Sequence, residues 1–400
     1  MVLIAGSEGK KYKLGLLSTH PIQYYVPWYR ALAKVVDLTV YFAHRQDGVG
    51  QAAAGYGVEF EWDIPLLEGY EFNFLRNISH NPGLSSFSGC DTPSIYEVVK
   101  RERFDAFIVQ GWFVKSYCQA IWACCRTHTP VLVRGDSQLA TPRSFVKNCI
   151  KYPLFRLLMP RFDGYLVVGK RAQEYFRHYG ASPQKFFSTP HCVDNAFFDE
   201  KAGLIGKHRS EIRRDWSVPS DAIVFLLVGR LIAMKRPMDF LQALKSAARR
   251  NPRIYGLIVG DGELRHQIEH LVKEESLPVT LTGFLNQSEL PKAYAVSDVL
   301  VVSSTGEETW GLVVNEAMAS GVPAIVSDKV GCGPDLIQPG KTGDTYPCGS
   351  VEKLADLMID WAADPRLIAQ RGAYAREWIE HYSVKSATEG TLKALQSVTC

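Results

Sequence analysis

Two carboxylates, Glu308 and Glu316, are separated by seven residues in the stretch Glu308-Thr309-Trp310-Gly311-Leu312-Val313-Val314-Asn315-Glu316. Such a pair can act as acid and base on the two faces of a sugar, can hold hydroxyl groups, or can simply cap a helix and face solvent. The setting narrows the choice. Asp298 opens an apolar run to Val302 that reads as a buried parallel strand, and after a polar loop Leu312, Ala317 and Met318 begin a helical spacing that ends at Gly321. Glu308 then belongs to the loop above the strand end and Glu316 to the helix. Between them the backbone of Gly311, Leu312 and Val313 offers first-turn N–H groups, which suit an anion such as a phosphate.

Two cations come from an earlier strand end. In Val228-Gly229-Arg230-Leu231-Ile232-Ala233-Met234-Lys235-Arg236-Pro237 the glycine closes a strand and the proline suits the first turn of the next helix. Arg230 and Lys235 therefore sit on the carboxyl edge of a sheet, where they can clamp a diphosphate and neutralise it as it leaves. A solvated basic loop is the plain alternative for them. A phosphate clamp is of no use to a glycosidase, so the acid/base reading of the two glutamates recedes. Gly260-Asp261-Gly262 and Gly283-Phe284 follow two further strands; each is either a simple strand-to-helix connection or a place where a nucleotide lies against backbone.

These loops need a scaffold, and the apolar pattern supplies one. Strand-like runs at 13–19, 38–42, 106–109, 131–133 and 165–168 alternate with helical patterns at 26–34, 93–102, 115–127 and 171–179. A second alternating series has strands at 222–228, 254–259, 279–282, 298–302 and 323–326, with a mostly helical stretch over 351–398. Alternation of this kind means parallel sheets with crossover helices. The fold class is α/β: two doubly wound parallel-sheet units in tandem, their ligand site in the cleft between them. The units span 1–197 and 198–380, and a helix at 381–400 packs back toward the first. Residues 44–90 fit the alternation poorly and read as an irregular arm near the mouth of the site. Residues 199–219 read as a linker leading into a helix.

Composition excludes several classes. The chain has 400 residues, 46% of them apolar and 22% charged, which is a soluble globular composition with length for two cores. A net charge of +3 does not demand nucleic acid. Nine cysteines without a Cys-x-x-Cys pair read as free thiols rather than a zinc site or a disulfide framework. Residues 1–10 are too short and polar for a signal peptide, and no apolar run reaches the ~20 residues of a membrane span. The expectation is a cytoplasmic protein, with peripheral contact at the inner face of the membrane left open.

Taken together, Gly229-Arg230…Lys235, Gly260-Asp261-Gly262, Gly283-Phe284 and Glu308-x7-Glu316 with its Glu-Ala-Met-Ala-Ser-Gly continuation resemble the retaining glycosyltransferases of family 4, over essentially all of residues 220–385. The resemblance implies a GT-B fold and hexosyl transfer from a nucleoside-diphosphate sugar to a hydroxyl acceptor: a glycan, a lipid-linked molecule or a small molecule. It implies that Arg230 and Lys235 hold the donor diphosphate, that Glu308 touches hydroxyls of the transferred sugar, and that Glu316 bonds the ribose. Trp310, Gly311, Leu312 and Val313 would meet the distal phosphate and sugar, and Gly260, Gly283 and Phe284 would belong to the donor-binding set. No Asp-x-Asp metal loop is evident, so no metal and no cofactor is expected beyond the donor substrate. Glu307 competes with Glu308, but only Glu308 gives the seven-residue interval. Thr309 and Trp310 replace the family's usual Gly and Phe, which changes the shape of the sugar pocket without removing a charge. An epimerase or phosphorylase on the same fold, or a non-catalytic nucleotide-sugar binder, are the competing functions.

The first half departs further from that family. His20-Pro21-Ile22-Gln23-Tyr24 follows the first strand and resembles a sub-group that places His20 and Gln23 at the cleft. Val133-Arg134-Gly135-Asp136-Ser137 occupies the position of a later histidine motif, making Arg134 and Asp136 candidates for the acceptor or transferred sugar. His20 could equally be a packing histidine, and Asp136 a turn cap. Residues 143–161 mix cations with large apolar groups. The commoner arrangement for such a run is a core helix with snorkelling cations; the other is a segment lying on anionic lipid, and Pro153 is expected to interrupt the helix.

Overall fold

A computed structural model describes residues 11–399. The N-terminal stretch judged too polar for a signal peptide lies outside the described residues. The first unit carries seven strands: β1 (Lys13–Ser18), β2 (Asp37–Phe42), β3 (Glu71–Phe74), β4 (Ala106–Val109), β5 (Val131–Gly135), β6 (Gly164–Val167) and β7 (Phe186–Ser188). They form one parallel sheet in the order β3-β2-β1-β4-β5-β6-β7. The second unit has β8 (Ile223–Val228), β9 (Ile254–Val259), β10 (Val279–Gly283), β11 (Val299–Val302), β12 (Ala324–Ser327) and β13 (Gly343–Tyr346), again parallel, in the order β10-β9-β8-β11-β12-β13.

The central strands are buried on both faces, as continuous apolar runs in a parallel sheet must be. The sequence pattern misses β3, β7 and β13, and all three are edge strands. An edge strand is half covered, so its side chains keep a mixed character and the apolar run disappears. The order of each sheet reverses once beside its first strand, between β1 and β4 and between β8 and β11. Loops leaving the carboxyl ends of those strands diverge there and open a crevice.

Two expectations need correction. Residues 199–219 are no open linker: the helices Asn195–Gly206 and Arg209–Asp215 fill most of them. Phe198 belongs to the second unit's core and Ala202 is buried, and Arg213, 5% exposed, donates to the Val296 carbonyl and to Asp298. A cluster of cations that looks hydrophilic in the sequence is here a staple under β11. The arm at 44–90 is also less irregular than its composition suggests, since it contains β3 and a short helix at Gly48–Gln51 capped by Asp47.

The helix Val384–Thr399 returns to the first unit. Its Ala387, Ala394 and Leu395 share a buried cluster with Leu14, Leu16 and Ile108 of the first sheet. Gly390 lets it approach β7: a Cβ there would stand 1.7 Å from the Ser188 carbonyl oxygen. Alanine favours helices over glycine by about 1 kcal/mol, yet Gly390→Ala is expected to destabilise the fold by about 3 kcal/mol because the backbone contact cannot relax. Urea unfolding midpoints would show it; an unchanged or raised midpoint would refute the close approach.

Among the described residues Cys124 and Cys125 are free thiols, as are Cys90, Cys118, Cys149, Cys192, Cys332 and Cys348.

Candidate functional site

The loops after β8 and β11 meet across the crevice of the second sheet. Lys235 Nζ, from the first, is ion-paired with Glu308 Oε2, from the second, and Ser304 Oγ donates to the same oxygen at 3.2 Å. The two loops are also locked by backbone: Ser303 Oγ donates to the Lys235 carbonyl at 2.7 Å, and Thr305 N–H to Met234 at 2.9 Å. Both charged side chains are about 15% exposed. Burial by itself would raise the Glu308 carboxyl, but the Lys235 ammonium and its hydrogen bond, with Ser304 and Arg230, outweigh it and hold the group below the ordinary carboxylate value. Glu308 is therefore anionic and aligned.

These residues line a cavity of about 280 Å³ between the units. Gly229, Arg230, Lys235, Gly260, Asp261 and Phe284 form one wall, and Glu308, Thr309, Trp310, Gly311, Leu312 and Val313 another. Gly260 is required by contact: it has φ +138°, and a Cβ would lie 1.9 Å from the Gly229 carbonyl oxygen, so the loops after β8 and β9 can touch only through glycine. Gly311 has φ +97° and starts the turn into the helix Val313–Ala319. That helix has seven residues and a small dipole; what it offers an anion is the N–H groups of its first turn.

Glu316 and Gly283 sit one layer behind the wall. Glu316 is 0% exposed, and its Oε2 accepts from Tyr294 at 2.5 Å while Oε1 has no hydrogen-bond partner. Burial pushes its carboxyl up to about 7 against the pull of Tyr294, Tyr24 and Gln287. Tyr24 and Gln287 line the cavity, whereas Glu316 itself does not. Gly283 accepts from Gly260 N–H at 2.8 Å and so shapes the loop in front of it.

From the first unit the cavity receives Ile22, Tyr24, Tyr25, Asp136 and His191. His20 does not line it, which corrects the expectation. The loop after β1 turns its tyrosines inward, while His20 Nδ1 lies 3.0 Å from Thr19 Oγ1, and burial, with His44 nearby, lowers its pKa to about 4. Gln23 is buried away from the cavity. Asp136 accepts from Thr309 Oγ1 at 2.6 Å, a bond between units that the family's usual glycine could not make.

His191, following the three-residue strand β7, is the histidine that reaches the cleft. It is 3% exposed, stacks on Tyr25 at 6.1 Å, and lies 5.3 Å from Trp310. Burial, then the charge of Arg134, keeps its pKa well below the usual value, so the ring is neutral. Arg134 Nη2, which can only donate, faces Nδ1 at 3.5 Å; the ring proton belongs on Nε2, 3.9 Å from Asp136 Oδ2 and without a hydrogen-bond partner. The sequence hid this residue because Phe186-Phe187-Ser188 is too short and mixed to be read as a strand.

The arm closes the cavity on the side of Phe284. Phe60 packs on Phe284 at 4.3 Å, and Tyr56 and Trp62 stand around it. Asn286 donates to the Glu61 carbonyl at 2.7 Å, and Ser288 N–H to Asp63 at 3.2 Å. Arg230 lies 5.9 Å from the Tyr56 ring. Trp62 and Tyr56 are cavity residues the sequence did not single out.

Residues 208–378 match the family of glycosyl transferases group 1. The second unit is a group 1 glycosyl transferase domain. All the loops of its cavity wall fall inside the match. Sulfoquinovosyl transferase SQD2 of Arabidopsis thaliana is 38% identical over 164 residues, 40% of this chain and 31% of that protein. GDP-mannose-dependent alpha-(1-6)-phosphatidylinositol monomannoside mannosyltransferase of Mycobacterium tuberculosis is 30% identical over 179 residues, 43% of this chain and 46% of that one. The chain thus aligns with about a third to a half of these curated relatives. Over nearly its whole length it shares its fold with Anabaena Alr3699/HepE in complex with UDP: TM-score 0.73, 18% identity, 96% of this chain and 100% of that one. The fold around the group 1 domain is GT-B, two Rossmann-like domains with parallel sheets.

Proposed function

We propose that the chain is a retaining glycosyltransferase that moves a hexosyl unit from a nucleoside-diphosphate sugar to the hydroxyl of a glycan, lipid-linked or small-molecule acceptor. The observation that carries the reading is the Lys235–Glu308 pair, set with Arg230 on one cavity beside the first turn of the Val313–Ala319 helix. Two cations and a set of N–H groups stabilise negative charge as it builds on a departing diphosphate, and protein cations there do the work a metal would otherwise do. The anionic Glu308 accepts from sugar hydroxyls, and Oε1 of Glu316 is an acceptor for a ribose hydroxyl.

Transfer with retention follows if the acceptor attacks from the side the diphosphate leaves, its proton passing to the leaving phosphate. Asp136 and His191 enter from the first unit and face Thr309 and Trp310, so they belong to the acceptor and the transferred sugar. Nε2–H of His191 is a donor for a sugar oxygen. Closure of the units around both substrates excludes water.

A melting-temperature screen against UDP-, GDP- and ADP-sugars tests the donor. One of them at ~100 times its Kd should stabilise the protein by about 2.7 kcal/mol, through binding to the folded state alone. If none shifts the melting point, or if the sugar is released only to water when acceptors are supplied, the reading fails.

A further inference from the structure

The helix Phe145–Leu158 runs unbroken through Pro153, and none of its residues is buried, which corrects both the expected interruption and the core-helix reading. One face rests on the first unit: Phe155 is 5.4 Å from Trp112, and Lys151 Nζ lies 4.9 Å over the Tyr175 ring. The opposite face carries Val146, Ile150, Leu154 and Leu157, exposed by 66%, 68%, 57% and 60%. Their spacing of four, four and three residues makes a single apolar stripe along the helix. Scattered apolar residues on a surface mean little, but a continuous stripe marks an interaction site.

Charge decides the partner. Lys147 and Arg156, both exposed, flank the stripe. From 137 to 162 the sequence has five cations, Arg143, Lys147, Lys151, Arg156 and Arg161, and no carboxylate. Among the described residues no helix is long and apolar enough to cross a membrane, so this one can only lie along a surface. Its start is nine residues along the chain from Asp136 on the cavity wall.

We infer that the Phe145–Leu158 helix docks the protein on an anionic lipid surface, with the Val146–Ile150–Leu154–Leu157 stripe entering the acyl boundary and Lys147 and Arg156 meeting lipid phosphates. The surface is separate from the transfer chemistry and its test uses no donor. In flotation with vesicles, the whole protein should rise with equal parts phosphatidylcholine and phosphatidylglycerol and bind phosphatidylcholine alone at least about tenfold more weakly. Ile150→Glu with Leu154→Glu should abolish flotation, and Lys147→Ala with Arg156→Ala should weaken it roughly tenfold or more. Unchanged melting temperature and nucleotide-induced shift would show that both variants are folded. The proposal is overturned if the protein ignores anionic vesicles, if the double glutamate variant floats like the parent, or if light scattering shows a dimer that the glutamates break without any vesicle binding. Flotation with no sugar transfer would sink the proposed reaction and leave the docking surface standing.

Discussion

Lys235→Ala is expected to lower kcat by on the order of 10²- to 10³-fold, the scale of removing one group aimed at developing negative charge. The substitution acts twice. It deletes one of the two cations that we assign to the diphosphate, and it takes the ion-pair partner from the Glu308 carboxylate, whose Oε2 still accepts from Ser304. Removing one member of a buried ion pair costs about 3–5 kcal/mol of stability. The two effects separate in a double variant. Lys235→Ala with Glu308→Gln should recover much of the lost stability and none of the activity. The pH dependence has a definite sign: the folded Glu308 carboxyl is lowered, so the pair's stabilisation is present above the ordinary carboxyl value of 4.5 and is lost as pH falls through the lower folded value. Steady-state turnover and urea unfolding of the single and the double variant check this. Turnover of Lys235→Ala within tenfold of the parent would remove the cation from the mechanism.

Glu316→Gln should make the protein more stable and a poorer nucleotide binder at once. The Glu316 carboxyl is raised from 4.5 to about 7 by burial, so the folded state holds a proton the unfolded chain has already released. Its contribution is fully present below pH 4.5 and is lost as pH rises through about 7, an effect on the order of 3 kcal/mol at 1.36 kcal/mol per unit. Glutamine keeps an acceptor for Tyr294 and has no proton to lose. The parent should therefore weaken between pH 5 and 8 while the variant does not. Affinity runs the other way: a ribose hydroxyl donates more strongly to a carboxylate than to an amide, and the loss should be tenfold to about a hundredfold. Calorimetric titration with whichever nucleotide raises the melting point most, at pH 8, measures the second effect. A variant that is less stable than the parent at pH 8, or that binds as tightly, would refute the assignment.

Much of the second unit could be read from the sequence because its chemistry sits on strand ends. Once β8 and β11 are recognised as buried runs, the parallel sheet brings Lys235 and Glu308 to the same edge with no knowledge of any side-chain contact. The first unit gives no such guarantee. His191 follows a strand of three residues, and His20 follows a good strand yet turns out of the cleft, because the facing of a loop depends on what packs behind it. Tyr56 and Trp62 come from an arm whose aromatic composition is legible but whose landing place, on Phe284 and Asn286 of the other unit, is a tertiary fact. The 145–158 helix makes the same point from the surface. Its composition favours a core helix and allows a lipid-facing one, and only the packing of Phe155 and Lys151 shows which side meets water.

The return of the Val384–Thr399 helix also sets an order of assembly. Ala387, Ala394 and Leu395 complete the cluster beneath β1 and β4, so the first unit to leave the ribosome is the last to be finished. The second unit, whose sheet is built from residues 223–346, can close while the first still shows an open apolar face. The boundary drawn between the units along the sequence is therefore not one along which they can be cut apart.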